Sequence, residues 1–364
     1  MNTFGVLYKY LFKPVAFSMD PEFVHDRVLN TGVLLGKTRA GRALTKKLFY
    51  YASPALEQTL LGIHFPNPIG LAAGFDKNAQ LTDILPDVGF GFAELGSITG
   101  EPCAGNPGKR LWRLPQSQSL LVYYGLKNDG AEAIAKRLSK RSFRIPIGTS
   151  VAKTNNQETV SLEGGIADYA KAYECMANIG DYTTINISCP NTYGGQPFTD
   201  PVRLDALLTR IDAIASPKPV FIKLSPDLDM SGVDALLDCI SKHKVQGIIC
   251  SNLTKNRNNS HIQETDVPHT GGMSGKVVEE LSNQLITHVY KRMGKQYIIV
   301  GCGGVFTAED AYKKIRLGAS LIQLITGMVY QGPQTIGEIN RGLVQLLTQD
   351  GYAHISQAVG VDNQ

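Results

Sequence analysis

From about residue 60 the chain alternates short, almost wholly apolar runs with longer stretches whose apolar positions recur every three or four residues. The first pattern is that of strands buried on both faces, the second that of helices with one apolar side. Strands are predicted near residues 69–73, 91–95, 145–151, 183–188, 220–224, 247–251, 297–301 and 321–325. Helices are predicted between most of them, over 166–178, 204–215, 233–243, 277–293 and 308–317. Roughly eight such alternations favour an α/β fold of the (β/α)8, or TIM barrel, type over a doubly wound sheet. The residues that follow the strands then share one mouth: Gly74-Phe75-Asp76-Lys77, Ser97, Ser188 to Asn191, Lys223, Ser251-Asn252, Gly303-Gly304 and Thr326-Gly327.

Residues 1–50 have a different character. Phe4, Val6, Leu7, Tyr8, Tyr10, Leu11, Phe12, Val15 and Phe17 are apolar with Lys9 and Lys13 among them, and Asp20-Pro21-Glu22 reads as an N-cap with proline at the first helical position. A second helix follows with Phe23, Val24, Leu29, Val33 and Leu34, and basic residues recur at Arg27, Lys37, Arg39, Arg42, Lys46 and Lys47. The pattern predicts a two-helix N-terminal extension ahead of a barrel domain over 51–364. Apolar faces with basic flanks suit a bilayer surface and equally suit packing on the barrel, and the two are compatible.

The run 182–195, YTTINISCPNTYGG, ends a β-branched strand in a thiol, hydroxyls and two carboxamides, and a free cysteine there is either packed or chemical. Glycines after the seventh and eighth strands, in Gly301-Cys302-Gly303-Gly304 and Thr326-Gly327, suit a phosphate held by backbone N–H groups; they also suit simple turns. Lys77 and Lys223 each end an apolar strand, where a buried ammonium needs an anion, whether a ligand or a neighbour such as Asp76. Asn186, Asn191 and Asn252 could supply hydrogen bonds to a planar heterocycle, or be turn residues.

Composition narrows the classes. A chain of 364 residues, 43% hydrophobic and 19% charged, is that of a globular protein with one large domain and room for an appendage. Its net charge of +4 is too mild to argue for nucleic acid. Six scattered cysteines without CxxC or Cys/His spacing argue against structural zinc and a disulfide framework, and fit a reducing compartment. His64, His243, His261, His269 and His288 show no metal spacing and read as surface or loop residues; no metal is expected. With no apolar run of about 18 residues and no signal-peptide profile, a cytosolic protein is expected, not necessarily free of membranes.

Gly70 to Lys77, Asn186 to Thr192, Thr270-Gly271-Gly272-Met273-Ser274-Gly275 and Gly301 to Gly304 together resemble the FMN-dependent dihydroorotate dehydrogenases over nearly the whole chain. Asp20-Pro21-Glu22 and His25 resemble the membrane-associated, quinone-using class of that family, peripheral on the inner face of the cell membrane. The resemblance implies FMN at the strand C-terminal ends, its phosphate on the strand 7 and 8 loops, and a quinone tunnel between the N-terminal helices. It assigns Ala73, Gly74, Phe75, Asp76, Lys77, Ser97, Ser150, Asn186, Lys223, Ser251, Gly275, Gly304, Ile325 and Thr326 to the flavin. Lys77, Asn191 and Asn252 fall to the substrate, Cys189 to the catalytic base, and His25 and Arg113 to the quinone end. In the reaction so implied, (S)-dihydroorotate becomes orotate: the base takes a proton from the carbon beside a carbonyl while a hydride leaves the adjacent carbon for the flavin, and Lys77 can hold the carboxylate and stabilise reduced flavin.

Several positions depart from that family. Quinone-using members usually carry serine at the base position; a thiol, with an ordinary pKa of about 8.5, is more readily deprotonated, so activity is expected at lower pH than for a serine homologue. Val122 stands at a pyrimidine-binding asparagine and Leu253 at a hydroxyl, which would leave substrate groups unpaired at about 1–3 kcal/mol each. Ser150 replaces an asparagine, Ile325 a tyrosine bordering the quinone route, and Asn128 could compensate if the loop register slips. The rival readings are the same oxidation, or its reverse, on a less polar substrate, and a phosphate-binding barrel without redox function.

Overall fold

The computed structural model describes residues 3–363. Eight parallel strands close a barrel: β1 Ile69–Leu71, β2 Phe92–Ile98, β3 Ile147–Val151, β4 Tyr182–Asn186, β5 Val220–Leu224, β6 Gly247–Cys250, β7 Ile298–Cys302 and β8 Leu321–Leu324. Strand neighbours follow chain order, and β8 pairs with β1 through Ile322 and Ile69 to complete the ring. Helices cross between consecutive strands, among them Leu162–Met176, Pro201–Asp212, Met230–Ile240, Glu279–Met293 and Ala308–Arg316. All eight strands and these five helices fall where the apolar pattern put them.

The base of the barrel is filled by aromatic rings set against glycines. Phe92, Tyr182 and Phe221 are almost wholly buried there, with Ile249, Val300 and Leu321. A Cβ on Gly70 would come within 2.3 Å of the Phe92 ring, one on Gly148 within 2.1 Å of Tyr182, and one on Gly247 within 2.5 Å of Phe221. The hairpin Gln58–Leu60 and Ile63–Phe65 closes this end, with Phe65 edge-on to Phe92 at 5.5 Å. One layer up, the Glu94 carboxylate accepts from Thr184 (2.9 Å) and Gln323 (3.0 Å). A closed base leaves the C-terminal mouth as the open end.

That mouth is roofed by two additions. A three-stranded antiparallel sheet joins Leu111–Leu114, Ser119–Val122 and Gly272–Gly275, pairing Val122 with Gly272. The N-terminal extension has three helical segments, not two. The first runs over residues 3–18 with a π-helical turn, Tyr8–Phe12, just ahead of Pro14, whose ring nitrogen has no hydrogen to donate back. The second, Pro21–Lys37, starts as predicted, with the Asp20 carboxylate accepting from Phe23 N at 2.9 Å. It stops at Thr38, which caps a third helix, Arg39–Phe49, by accepting from Gly41 N at 3.0 Å. Arg110 forks onto Glu22, Lys127 adds a contact to it at 3.5 Å, and Arg113 donates to Met19 O at 2.8 Å, tying the helices to the roof sheet.

Candidate active site

Strand β4 delivers the central polar groups. Its residues are buried through Asn186, and the chain then turns on itself, Ser188 donating through both N and Oγ to Asn186 Oδ1 at 3.3 and 3.2 Å. Asn252, after β6, donates to the same Oδ1 (3.1 Å) and to Ser188 Oγ (2.9 Å). Asn186 Nδ2 donates to Ser97 Oγ (2.9 Å), which contacts Ser150 Oγ at 2.8 Å. One hydrogen-bonded network thus fixes side chains from β2, β3, β4 and β6.

Cys189 follows, half-buried because one side opens on a cavity. Burial pushes its thiol pKa up, while the Asn191 backbone, Lys153 and Lys255 pull it down and Cys103 adds a small push upward. Burial is the largest of these effects, so the net shift of the thiol is upward, and the Asn191 backbone N–H and the two lysines offset part of it. Asn191 donates to Val122 O at 2.9 Å, and its Oδ1 is buried with no partner among the described residues.

Two cations stand at strand ends. Lys77 does not pair with Asp76, whose carboxylate instead accepts from Gln80 N and Leu81 N at 2.8 Å. Its ammonium lies 3.2 Å from His25 Nε2 and 3.9 Å from the Tyr124 ring centre. Burial pulls Lys77 down to about 8 against support from Asp26 and Glu22, and burial together with Lys77 holds His25 near 3, a neutral imidazole whose Nε2 can accept. Lys223 is 4% exposed and has no hydrogen bond or carboxylate partner among the described residues.

Most of these groups border one cavity of about 970 Å³. At one end lie Cys189, Asn191, Asn252 and Lys223; at the other Phe4, Tyr8, Leu11 and Phe12 of the first helical segment. Ala73, Gly74, Phe75, Lys77, Ser97, Asn186, Ser251, Gly275, Gly304, Ile325, Thr326, His25 and Arg113 also line it. Asp76 and Ser150 do not: the first caps the turn after β1, the second buttresses Ser97. Gly303 and Gly304, at φ 123° and 74°, line the cavity, yet a Cβ on either would strike Val278 or Glu279, so packing already demands glycine there.

Val122 and Leu253 line the same cavity. Asn128 does not line the cavity: it donates to Thr99 Oγ1 just after β2 and to Leu126 O, and accepts from Gly130 N. Sequence reasoning missed Tyr124 and Lys153. Lys153 is a third lysine following an apolar strand, 3% exposed, donating to Tyr193 O at 2.6 Å, and the signal that found Lys77 and Lys223 applied to it equally.

The cavity is large for a single ligand by the usual range of about 300–1,000 Å³, and its polar end offers buried ammonium groups and an orphaned acceptor. Those donors fit an anion-bearing, planar, hydrogen-bonding cofactor beside a small polar substrate. A closed barrel with such a mouth suits a flavin-dependent oxidoreductase, the class that the family match assigns: a model of the family described as dihydroorotate dehydrogenase matches residues 55–347. The chain belongs to the dihydroorotate dehydrogenase family, in its quinone-dependent, class 2 branch. A dihydroorotate dehydrogenase (quinone) of Gloeobacter violaceus is 39% identical over 351 residues, covering 96% of this chain and 98% of that one. One from Natronomonas pharaonis is 40% identical over 357 residues, covering 97% and 98%. The crystal structure of DHODH from Eimeria tenella in complex with ferulenol superposes with a TM-score of 0.81 at 28% identity, over 95% of this chain and 96% of that one.

Proposed function

We propose that the protein oxidises (S)-dihydroorotate to orotate with FMN as its flavin and hands the electrons to a membrane quinone. The observation that carries this reading is the continuity of one cavity from Cys189 to an apolar mouth between the N-terminal helices. A bound FMN would supply a hydride acceptor and a conduit for electrons between the two ends. Ser97, Asn186, Lys223, Ser251 and the backbone at Gly275, Gly304 and Thr326 are the residues that would hold it. Cys189, as thiolate, takes the proton from the substrate carbon next to the carbonyl. The Lys77 ammonium pairs with the substrate carboxylate, and the unpartnered Asn191 Oδ1 accepts a ring N–H, which removes the cost of a buried orphan.

The apolar mouth suits a quinone tail, with His25 and Arg113 on its polar rim. Of eighteen exposed large apolar side chains among the described residues, twelve lie within residues 6–48, alongside Lys9, Arg27, Lys37 and Lys46, a surface suited to peripheral contact with an anionic bilayer. No described helix is long and apolar enough to cross a membrane.

A second reading keeps the flavin, Cys189 and the direction of proton transfer but changes the substrate to a less polar carbonyl compound. Val122 and Leu253 against the reaction end of the cavity favour it. Anaerobic rapid mixing of the flavin-loaded protein with (S)-dihydroorotate separates the two. Bleaching of the flavin, followed by its recovery on adding a soluble quinone, is expected. A bound flavin that dithionite reduces but dihydroorotate leaves oxidised would turn the assignment to the second reading.

A further inference from the structure

On the outer face of the barrel, well away from the cavity, the helices Pro201–Asp212 and Met230–Ile240 bring together Asp205, Cys239, His243 and Asp212. Ligand atoms of Asp205, Cys239 and His243 all lie within 4.8 Å of one another. His243 sits between two carboxylates: Nδ1 is 2.8 Å from Asp212 Oδ2 and Nε2 is 3.2 Å from Asp205 Oδ1. With Nδ1–H donated to Asp212, Nε2 faces Asp205 with Cys239 Sγ close by, so that three potential ligand atoms are gathered in one place.

We propose that this cluster is a site for a zinc-like divalent cation, with Cys239 Sγ, His243 Nε2 and an Asp205 oxygen as ligands, a water in the fourth position, and Asp212 orienting the imidazole from behind. Tetrahedral zinc at its usual bond lengths spaces its ligand atoms about 3.3–3.6 Å apart, and the Nε2 to Oδ1 separation of 3.2 Å is close to that. The carboxylate–histidine–metal relay through Asp212 is the arrangement that fixes the ring tautomer and raises ligand basicity. A thiol with an imidazole selects zinc or cobalt over magnesium or calcium. Cys239 is 5% exposed and its Sγ makes only a long contact, 3.5 Å, to Pro201 O, so the sulfur gives up little in turning to a metal. The Asp205 side chain is 54% exposed, which leaves a way in for the ion and room for water. Binding releases the thiol proton and clamps the two helices together.

The test is a titration of the flavin-loaded, full-length protein with cobalt(II), read in the red where oxidised flavin does not absorb. One equivalent is expected to give the intense bands of four-coordinate cobalt, which zinc(II) then abolishes. Zinc is also expected to raise the melting temperature of the wild type and not of Cys239→Ser. Asp205→Asn, at an exposed side chain, keeps the fold and weakens binding; Asp212→Asn weakens it about 10–100-fold while leaving dihydroorotate turnover unchanged. A wild type that shows only the pale spectrum of hydrated cobalt overturns the proposal and leaves His243 as a hydrogen-bonded link between the two helices. Bands that persist unchanged in both Cys239→Ser and Asp205→Asn overturn it too, by placing the metal elsewhere.

Discussion

The Lys77 ammonium, which follows the first barrel strand, lies 3.2 Å from Nε2 of His25 on the second N-terminal segment. A single contact therefore joins the polar end of the cavity to the helix that walls its apolar end. Because His25 is held near 3, it stays neutral at every working pH and acts as a permanent acceptor for Lys77.

Lys77, pulled down to about 8 by burial, is charged below that pH and neutral above it. If it pairs with a substrate carboxylate, loss of its charge is expected to add an alkaline limb near pH 8 to kcat/KM for dihydroorotate, superimposed on the rise with pH that ionisation of Cys189 gives. Removing the acceptor in His25→Leu destabilises the charged form and moves that fall to lower pH. Lys77→Gln is expected to lower kcat/KM by roughly 1.5–3 kcal/mol, about 10–150-fold, and to erase the fall. A wild-type profile without an alkaline limb would contradict the pairing.

Cys189 depends on its neighbours in the opposite sense. Burial raises the thiol and Lys153 lowers it, so flavin reduction is expected to climb with pH until the thiolate forms, and Lys153→Met to push that climb to higher pH. Alkylation of Cys189 by iodoacetamide, followed across pH, reads the same shift without turnover. Cys189→Ala is expected to slow flavin reduction about 10²–10⁴-fold. Equal alkylation profiles in wild type and Lys153→Met would remove Lys153 from the account.

The two half-reactions should separate physically. Residues 3–18 border only the apolar end, held by Tyr8 OH to Val329 O at 2.8 Å and Phe17 against Tyr330 at 5.2 Å. Truncation to residue 19 is expected to leave dihydroorotate-driven bleaching intact and to depress quinone reduction and vesicle binding together. Quinone turnover that survives the truncation would place the acceptor route elsewhere.

The barrel was legible because its strands are short runs rich in apolar and β-branched residues, nearly all buried on both faces, that give way to glycine or polar residues, a local signal that tertiary packing reinforces. The roof sheet was not. Leu111–Leu114 and Ser119–Val122 are short, and Gly272–Gly275 joins them from some 150 residues away, a pairing no local period encodes. The break at Thr38 hid inside a basic, helix-favouring stretch, although Thr38 is itself a capping residue. At the site, strand-end position and the family resemblance named residues that mostly do line the cavity, Asp76 and Ser150 excepted. What they could not find was which partner each would take: Asp76 turns to its own backbone and Lys77 reaches back to His25, and these choices depend on how the N-terminal segment docks.

That docking rests on a barrel whose base tolerates little change. The Tyr182 ring lies at 2.1 Å from where a Gly148 Cβ would stand and is pinned on its other face by Phe221 at 4.8 Å, so it cannot swing aside. Gly148→Ala therefore over-packs an aromatic layer and is expected to cost about 1–3 kcal/mol, seen as a lower urea midpoint at unchanged slope. Because the cause is a clash with one ring, Tyr182→Leu should restore part of the loss in the double variant, giving a coupling of about 0.5–3 kcal/mol. The layer is at the closed end, so flavin binding by the folded fraction should not change. A Gly148→Ala protein within about 0.5 kcal/mol of wild type would mean that β3 and β4 can part at their base, and the rigidity assigned to the barrel there would be wrong.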